Sequence, residues 1–565
     1  MPQEYYTLGI HIGHDRGASI VKNGVLFAHL AQDRLDRIKH SEFPDIPFET
    51  IDALLNYCGL KVTELAAVGV SYVNVEVDRF TPELKDIFCA YYNLQNIDFF
   101  GVSHHLAHAL STYYTSDFDR ALLFIADGAG DAVGDKLEAE SVFVADGEEI
   151  YEVEKRLHEV ILDLPSRPFL YNYALMNETD RKKEISIAKK YEQFTNLLGF
   201  SHFQCGKTMG LSSYGRPMID VRSYDFRGRG LSYSLRCQDL LDKIHDLKLA
   251  SGLSYPDFVR RERANLASTV QAFVEHALIQ IVADLRDRFN LENLCLAGGL
   301  FLNCVANHKL IEHALFKRVH IVPAAGDDGQ STGAAFGAYL QACGPPKRTS
   351  SSLPFLGLSH SSSSIRRSLE NFNLKYRELE DLEMAQVLAM ELGRGRVVGI
   401  LRGRSEMGPR ALCHRSILAD SRRPDMKQHL NAHVKFREVF RPYAPVVTWE
   451  DQHKYFDLKQ DSPFMLLAAT VRPAYRDLLG AITHVDNTAR VQAISREKDP
   501  FVHSLLREFE KLSGVPVLLN TSFNVAGEPI VETPHDAIST FLSTGIDVLA
   551  LERFLVDKAQ NTDRL

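Results

Sequence analysis

At 565 residues the chain exceeds one ordinary hydrophobic core, so two or three domains are expected. Its 45% hydrophobic and 24% charged content excludes a disordered chain, and a formal net charge of -9 argues against a general nucleic-acid binder. No apolar run approaches the ~20 residues of a membrane span, MPQEYYTLGIHIG lacks a basic-then-apolar leader, and the eight scattered cysteines form no CxxC pair, which together fit a cytoplasmic protein with reduced thiols.

In chain order, the stretch 1–345 alternates strand-like and helical patterns. LGIHIGHDRGASIVKNGVLFAHLAQDR (8–34) reads as an apolar strand, a polar turn, a second strand, an Asn23-Gly24 hairpin turn and a third strand. ALLFIADGAGDAVGDKLEAESVFVADGEEIYEV (121–153) repeats that order with an Asp146-Gly147 turn. A meander repeated at the start of each half points to a duplicated α/β domain of the actin-like (ASKHA) type, with a ligand cleft between its halves; two unrelated hairpins are the alternative. GPPKRTSSSLPFLGLSHSSSS (344–364) is rich in Pro, Gly and Ser, without periodicity, as linkers are. Helical IRRSLENF and LEMAQVLAMELGRG, with strands RVVGIL and VPVLLN, then describe a second α/β domain, so the expected domains are 1–348 and 365–565.

Several segments of the first domain carry chemistry. GVSHHLAHALSTYY (101–114) gains helical character after a probable strand. His104 and His108, four apart, would share one helix face and grip one metal ion; His105 and His108, three apart, would do the same, so spacing leaves the pair open. Asp127 ends the strand ALLFIA, and Asp327-Asp328 follows the strand VHIVPA ahead of GQSTGAAFG. Carboxylates at strand ends can converge on the cleft, and two imidazoles plus carboxylates suit Fe(II), Mn or Zn; helix or turn capping is the bland alternative. In LCLAGGLFLNCVAN (294–307), Gly298 and Gly299 let backbone approach a ligand, and the helix start near Asn303 favours an anion. GKTMGLSSYG (206–215) offers Lys207 and Gly210 to a nucleotide phosphate, yet neither loop matches GxxxxGK[ST]. His14, in IGHDRGAS, suits a general base toward a hydroxyl, or a structural role equally well.

The second domain concentrates positive charge. LRGRSEMGPRALCHRSILADSRRPD (401–425) carries Arg402, Arg404, Arg410, Arg415, Arg422 and Arg423, and NAHVKFREVFRPYAPVV (431–447) adds Lys435, Arg437 and Arg441. Guanidinium forks match phosphate and carboxylate oxygens, so a small polyanion such as carbamoyl phosphate or ATP fits; RNA is disfavoured because no aromatic platform interleaves the arginines. HVDNTARVQAI (484–494) supplies Arg490, and VLLNTSFNVAGEPIVETP (517–534) places Asn520 and Ser522 after a strand, as phosphate ligands or turn formers.

Taken together, HHLAHA, DGAGD, GKTMGL, GGLFLNCVAN, GDDG, GRSEMGPRALCHRSILAD, VKFREVFRPYAP, HVDNTARVQ and LNTSFNVAGEPIVETP resemble the carbamoyltransferase family typified by NodU and TobZ, nearly end to end. The resemblance implies a metal-dependent ASKHA domain like that of TsaD, followed by a YrdC-like domain. It further implies that carbamoyl phosphate and Mg-ATP become carbamoyl-AMP in the second domain, with Arg404, Arg410, Lys435, Arg490, Asn520 and Ser522 holding phosphates and carbamate. Transfer to a small-molecule alcohol would follow in the first domain, where His104, His108, Asp127 and Asp328 would hold Fe(II) or a similar ion and His14 would act as base. Neither nucleic acid nor membrane is an expected partner, and a homodimer is the working expectation. SSYG (212–215) replaces a more usual AxYG, and Cys413 stands where Gly is common; neither removes an implied ligand. The alternatives are a tRNA N6-carbamoyl transferase and a non-catalytic nucleotide-binding regulator of the same fold.

Overall fold

The first meander forms as expected. β1 (Tyr6–His11), β2 (Gly17–Lys22) and β3 (Val25–Ala31) run antiparallel. Asn23 and Gly24 both take positive φ in the two-residue turn, the geometry that matches strand twist. β4 (Leu65–Ser71) and β5 (Phe99–Gly101) add parallel to β1, giving the order β3-β2-β1-β4-β5.

The structure, a computed structural model, describes residues 4–160, 176–228, 230–347 and 354–561. Within them the second meander repeats the plan. β6 (Arg120–Ala126), β8 (Lys136–Asp146) and β9 (Glu149–Glu159) run antiparallel, with the short β7 (Ala132–Val133) on β8. β10 (Asn293–Ala297) and β11 (Arg318–Ile321) add parallel to β6. The resulting order β9-β8-β6-β10-β11 matches the first sheet in sequence and direction, which is the duplication of an actin-like (ASKHA) domain. Its hairpin closes one residue later than read: Asp146 pairs with Glu149, and Gly147 takes φ 66° in the loop.

A helix of small residues, Gln330–Cys343, lies between the halves, and its composition follows from how closely its neighbours approach. A Cβ on Gly9 of β1 would stand 1.9 Å from the Ser331 carbonyl oxygen, and one on Gly69 of β4 would stand 2.1 Å from that of Ala334. On its other side, a Cβ on Gly333 would lie 1.8 Å from the Ala107 carbonyl oxygen of the helix His104–Tyr114. Gly333→Ala is therefore expected to force the two helices apart and cost about 3 kcal/mol, read as a lower midpoint in chemical denaturation.

The second domain is also α/β. Its eight-stranded sheet runs Arg377–Glu378, Phe554–Asp557, Val548–Leu551, Val398–Leu401, Arg415–Asp420, Val517–Ser522, Ala444–Thr448, Gln492–Ile494. A three-stranded sheet, Phe456–Asp457, Ala468–Val471 and Thr488–Arg490, stands beside it. Of the expected linker, residues 348–353 lie outside the described residues. The part that follows is stitched into both domains: the Leu356 carbonyl accepts from His29 N at 2.9 Å, Gly357 N donates to the Ser405 carbonyl at 3.0 Å, and Phe355 stacks on His414 at 3.5 Å. Arg37 donates to the Ile530 carbonyl at 2.7 Å and Asn307 to that of Leu466 at 3.1 Å, so the domains are tied by polar contacts. Among the described residues one helix, Tyr255–Phe289, is long and apolar enough by composition to cross a membrane; its Leu266, Val270, Phe273, Val274, Leu278 and Ile281 are buried in the core. All eight cysteines are free.

Candidate functional site

The helix His104–Tyr114 starts where β5 delivers the chain to the cleft, and its i, i+4 spacing aims His104 and His108 at one point. Asp127 reaches the same point from the end of β6, and Asp327 from the turn after β11. One donor atom of each lies within 4.8 Å of the others, and all four side chains are buried. His104 Nε2 is 3.1 Å from Asp127 Oδ2 and 3.3 Å from Asp327 Oδ1; His108 Nε2 is 3.5 and 3.4 Å from the same oxygens. His104 Nδ1–H donates to the Tyr72 carbonyl at 2.8 Å, which fixes the tautomer with Nε2 facing the group.

The spare lone pairs describe the missing partner. His108 Nε2 and Asp327 Oδ2 are buried without a hydrogen bond among the described residues. Burial is the largest single influence and opposes charging His104, but the charges and hydrogen bonds of Asp327 and Asp127 together outweigh it and lift the imidazole well above its ordinary value. Both carboxyls are held below their usual range despite burial and their mutual repulsion, chiefly by the imidazoles. Two imidazoles and two ionised carboxylates converging in a buried site fit a divalent ion in the Fe(II), Mn or Zn group.

Sequence reasoning named Asp328 where the geometry brings in Asp327. Successive residues of the turn Asp327–Gly329 project in different directions, so only the first of the doublet faces the histidines. Asp328 instead lies toward Asp15 and Asp33; burial first, then their charges, push its carboxyl up to about 8. Asp327→Asn is expected to lower bound-metal stoichiometry by at least about tenfold at a fixed metal concentration. Asp328→Asn should leave it unchanged, with elemental analysis of the purified variants as the measurement.

His14 sits at the edge of this group, its Nε2 3.2 Å from Asp327 Oδ2 and its Nδ1 3.1 Å from Asp15 Oδ2. Asp15 also accepts from His40 at 2.8 Å, and the His40 ring stacks on Phe203 at 4.6 Å. Burial disfavours the imidazolium, but Asp327 and Asp15 overcome it and raise His14 to about 9. Asp15, His40 and Phe203 escaped the sequence reading; the His14-Asp15 pairing in IGHDRG was the one local signal.

The two glycines after β10 serve Asp127 directly. Gly298 (φ 102°) lies against the Ala126 carbonyl, and Gly299 N donates to Asp127 Oδ1 at 2.9 Å, leaving Oδ2 for the histidines. Asn303 caps the helix Cys304–Glu312 through Ala306 N at 3.1 Å and bonds Gln271, so its amide is committed to structure. Lys207 is paired with Glu438 of the second domain at 2.6 Å, and Gly210 packs on Pro442. The GKTMG segment, read from sequence as a loop, lies within the helix Cys205–Ser212, and that helix meets the other domain.

Among the second-domain candidates, Arg404 stands apart. Its guanidinium donates to the carbonyls of Phe27, Leu356 and Gly357, an inter-domain staple. Arg402, Arg415, Arg422 and Arg423 are likewise occupied by carbonyls or carboxylates. The remaining cations form a different group. Arg410, Lys435, Arg437, Arg441 and Arg490 form no ion pair with a carboxylate among the described residues, and Nε of Arg410 and of Arg490 is buried without a partner. Burial, then neighbouring positive charge, presses Arg410, Lys435 and Arg441 below their ordinary values, and burial does the same to Arg490. Lys435 Nζ donates to the Ser522 and Asn524 carbonyls at 2.7 Å each, while Ser522 Oγ donates to Asn524 Oδ1 at 2.7 Å. Asn520 donates to Gln492 Oε1 at 2.8 Å and keeps a buried, unpartnered Oδ1. So many cations without a counter-charge call for an anion.

Fold and site define a class: a two-domain α/β protein whose duplicated actin-like half holds a buried His-Asp group and whose other half holds an unpaired cationic pocket. Family models described as Carbamoyltransferase N-terminus and Carbamoyltransferase C-terminus match residues 70–336 and 389–558. Protein sll1178 of Synechocystis is 31% identical over 98% of this chain and 96% of its own. Nodulation protein NolNO of Sinorhizobium fredii is 32% identical over 96% of this chain and 79% of its own. The chain belongs to the carbamoyltransferase family and is a carbamoyl-transferring enzyme. The crystal structure of T. kodakarensis HypF overlaps 60% of this chain and 48% of its own at 15% identity and a TM-score of 0.41, too distant to bear on function.

Proposed function

We propose that the second domain converts carbamoyl phosphate and ATP to carbamoyl-AMP and that the first transfers the carbamoyl group to a hydroxyl of a small-molecule acceptor. The reading rests most on the five cations without a carboxylate counter-ion, Arg410, Lys435, Arg437, Arg441 and Arg490. Arg410 and Arg490 would hold phosphate oxygens by two-point contacts, and Asn520 Oδ1 is free to accept from a carbamoyl amide. Lys435, already donating to Ser522 and Asn524, would hold that strand end in place while presenting its charge to the ligand. Water would hydrolyse carbamoyl phosphate there to carbamate and inorganic phosphate, and the carbamate oxygen would attack the α-phosphorus of Mg-ATP, releasing pyrophosphate.

In the first domain His104, His108, Asp127 and Asp327 would hold the divalent ion. When bound, such an ion supplies a template and a Lewis acid for an acyl phosphate. His14 is placed to take the proton of the acceptor hydroxyl as its oxygen attacks the carbamoyl carbon and AMP departs. The Asp327 and Asp15 carboxylates together hold a proton on His14, so the imidazole can accept only once that proton has left. Transfer within one chain would keep the intermediate from release to water. Incubation with carbamoyl phosphate, Mg-ATP and a panel of alcohols tests the reading. Formation of AMP, pyrophosphate and an acceptor heavier by one carbamoyl group is expected; ADP as the sole nucleotide product would refute it.

A further inference from the structure

Glu438 is the one acidic residue in VKFREVFRP (434–442), the segment that carries Lys435, Arg437 and Arg441. The chain leaves a π-helical turn at Asn431–Lys435, passes Phe436 at φ 47°, and closes a turn in which Arg441 N donates to the Glu438 carbonyl at 3.2 Å. That turn sets Glu438 and Arg441 side by side, and Arg437 is its neighbour in sequence. Left alone, a carboxylate so placed would pair with the guanidinium groups and compete with a phosphate for them. Instead it points across the domain boundary to Lys207 Nζ, 2.6 Å away. The first domain fixes this arrangement at several points: Gly210 packs on Pro442, the Phe200 ring lies 6.3 Å from Phe440, Lys207 stands over Phe200 at 5.3 Å, and Ser213 donates to Asp486 at 2.7 Å.

We propose that Lys207 is a positioning residue that draws Glu438 away from Arg437 and Arg441, so that the transfer domain completes the anion pocket of the activating domain. The inference rests on the reading of that pocket as the carbamoyl phosphate and ATP site. It assigns Lys207 to an ion pair with protein, where the sequence suggested a phosphate ligand. It also gives the helix Cys205–Ser212 a reason to pack against the other domain.

Lys207→Met in the full chain tests it through two readouts. Calorimetric titration with inorganic pyrophosphate should give binding about tenfold weaker than wild type, the size of one charge-assisted hydrogen bond. The KM for carbamoyl phosphate in pyrophosphate release should rise about tenfold with kcat nearly unchanged. Adding Glu438→Gln to Lys207→Met removes the competitor and is expected to restore both values to within about twofold of wild type. Glu438→Gln alone should bind pyrophosphate at least as tightly as wild type. Unchanged binding in Lys207→Met, a double variant no better than the single one, or weakened binding in Glu438→Gln alone would overturn the proposal. A wild type that binds pyrophosphate yet forms none from carbamoyl phosphate and ATP would defeat the functional reading, while the titrations would still decide the role of Lys207.

Discussion

His108→Ala is expected to lose the bound ion and to depress carbamoyl transfer by at least about 10²-fold, while pyrophosphate release stays within about twofold of wild type. The separation follows from where the side chains sit. His108 contributes Nε2 to the group with Asp127 and Asp327, and that nitrogen has no other partner. The cations without a carboxylate partner belong to the other domain, and among the described residues none pairs with His108. Alanine is the best helix former, so the helix His104–Tyr114 should survive the change. His105→Gln is the informative control. His105 Nδ1 bonds Ser141 Oγ at 2.7 Å on the other face, so this variant should keep its metal. Elemental analysis and quantified pyrophosphate check both halves; normal metal content in His108→Ala would remove the metal centre from the mechanism.

That control marks how far the sequence could be read. HxxxH left two pairs open, and only the helix orientation chose His104 with His108. The hairpins were legible because Asn-Gly and Gly turns answer to local φ, which a sequence carries. The duplication was legible for the same reason, as two meanders of one pattern. The Asp327-Asp328 doublet was not, because which of two adjacent carboxylates faces the cleft depends on how the turn after β11 is seated against the helix. The arginines were no easier to tell apart. Arg404 and Arg415 bind backbone carbonyls of segments distant in sequence, so nothing local separates them from Arg410, whose Nε is unpartnered. Asn303 was read as marking an anion site at a helix start, and the structure commits its side chain to capping that helix.

Arg490→Met is expected to lower kcat/KM for carbamoyl phosphate by about 10²-fold or more without lowering the melting temperature. A guanidinium in an ion pair stabilises the fold that contains it; this one does not have such a partner. It ends the strand Thr488–Arg490, with Nε buried and unbonded, and burial together with the Arg437 charge presses its pKa down. The folded protein therefore carries an electrostatic cost that a substrate phosphate would offset, and the shorter, uncharged methionine removes the cost together with the function. Metal content should be unchanged, because the imidazole–carboxylate group lies in the other domain. Thermal melting, elemental analysis and pyrophosphate release on one preparation decide the matter. A lower melting temperature with intact pyrophosphate release would make Arg490 a structural residue and leave the anion pocket without its strongest claim to a ligand.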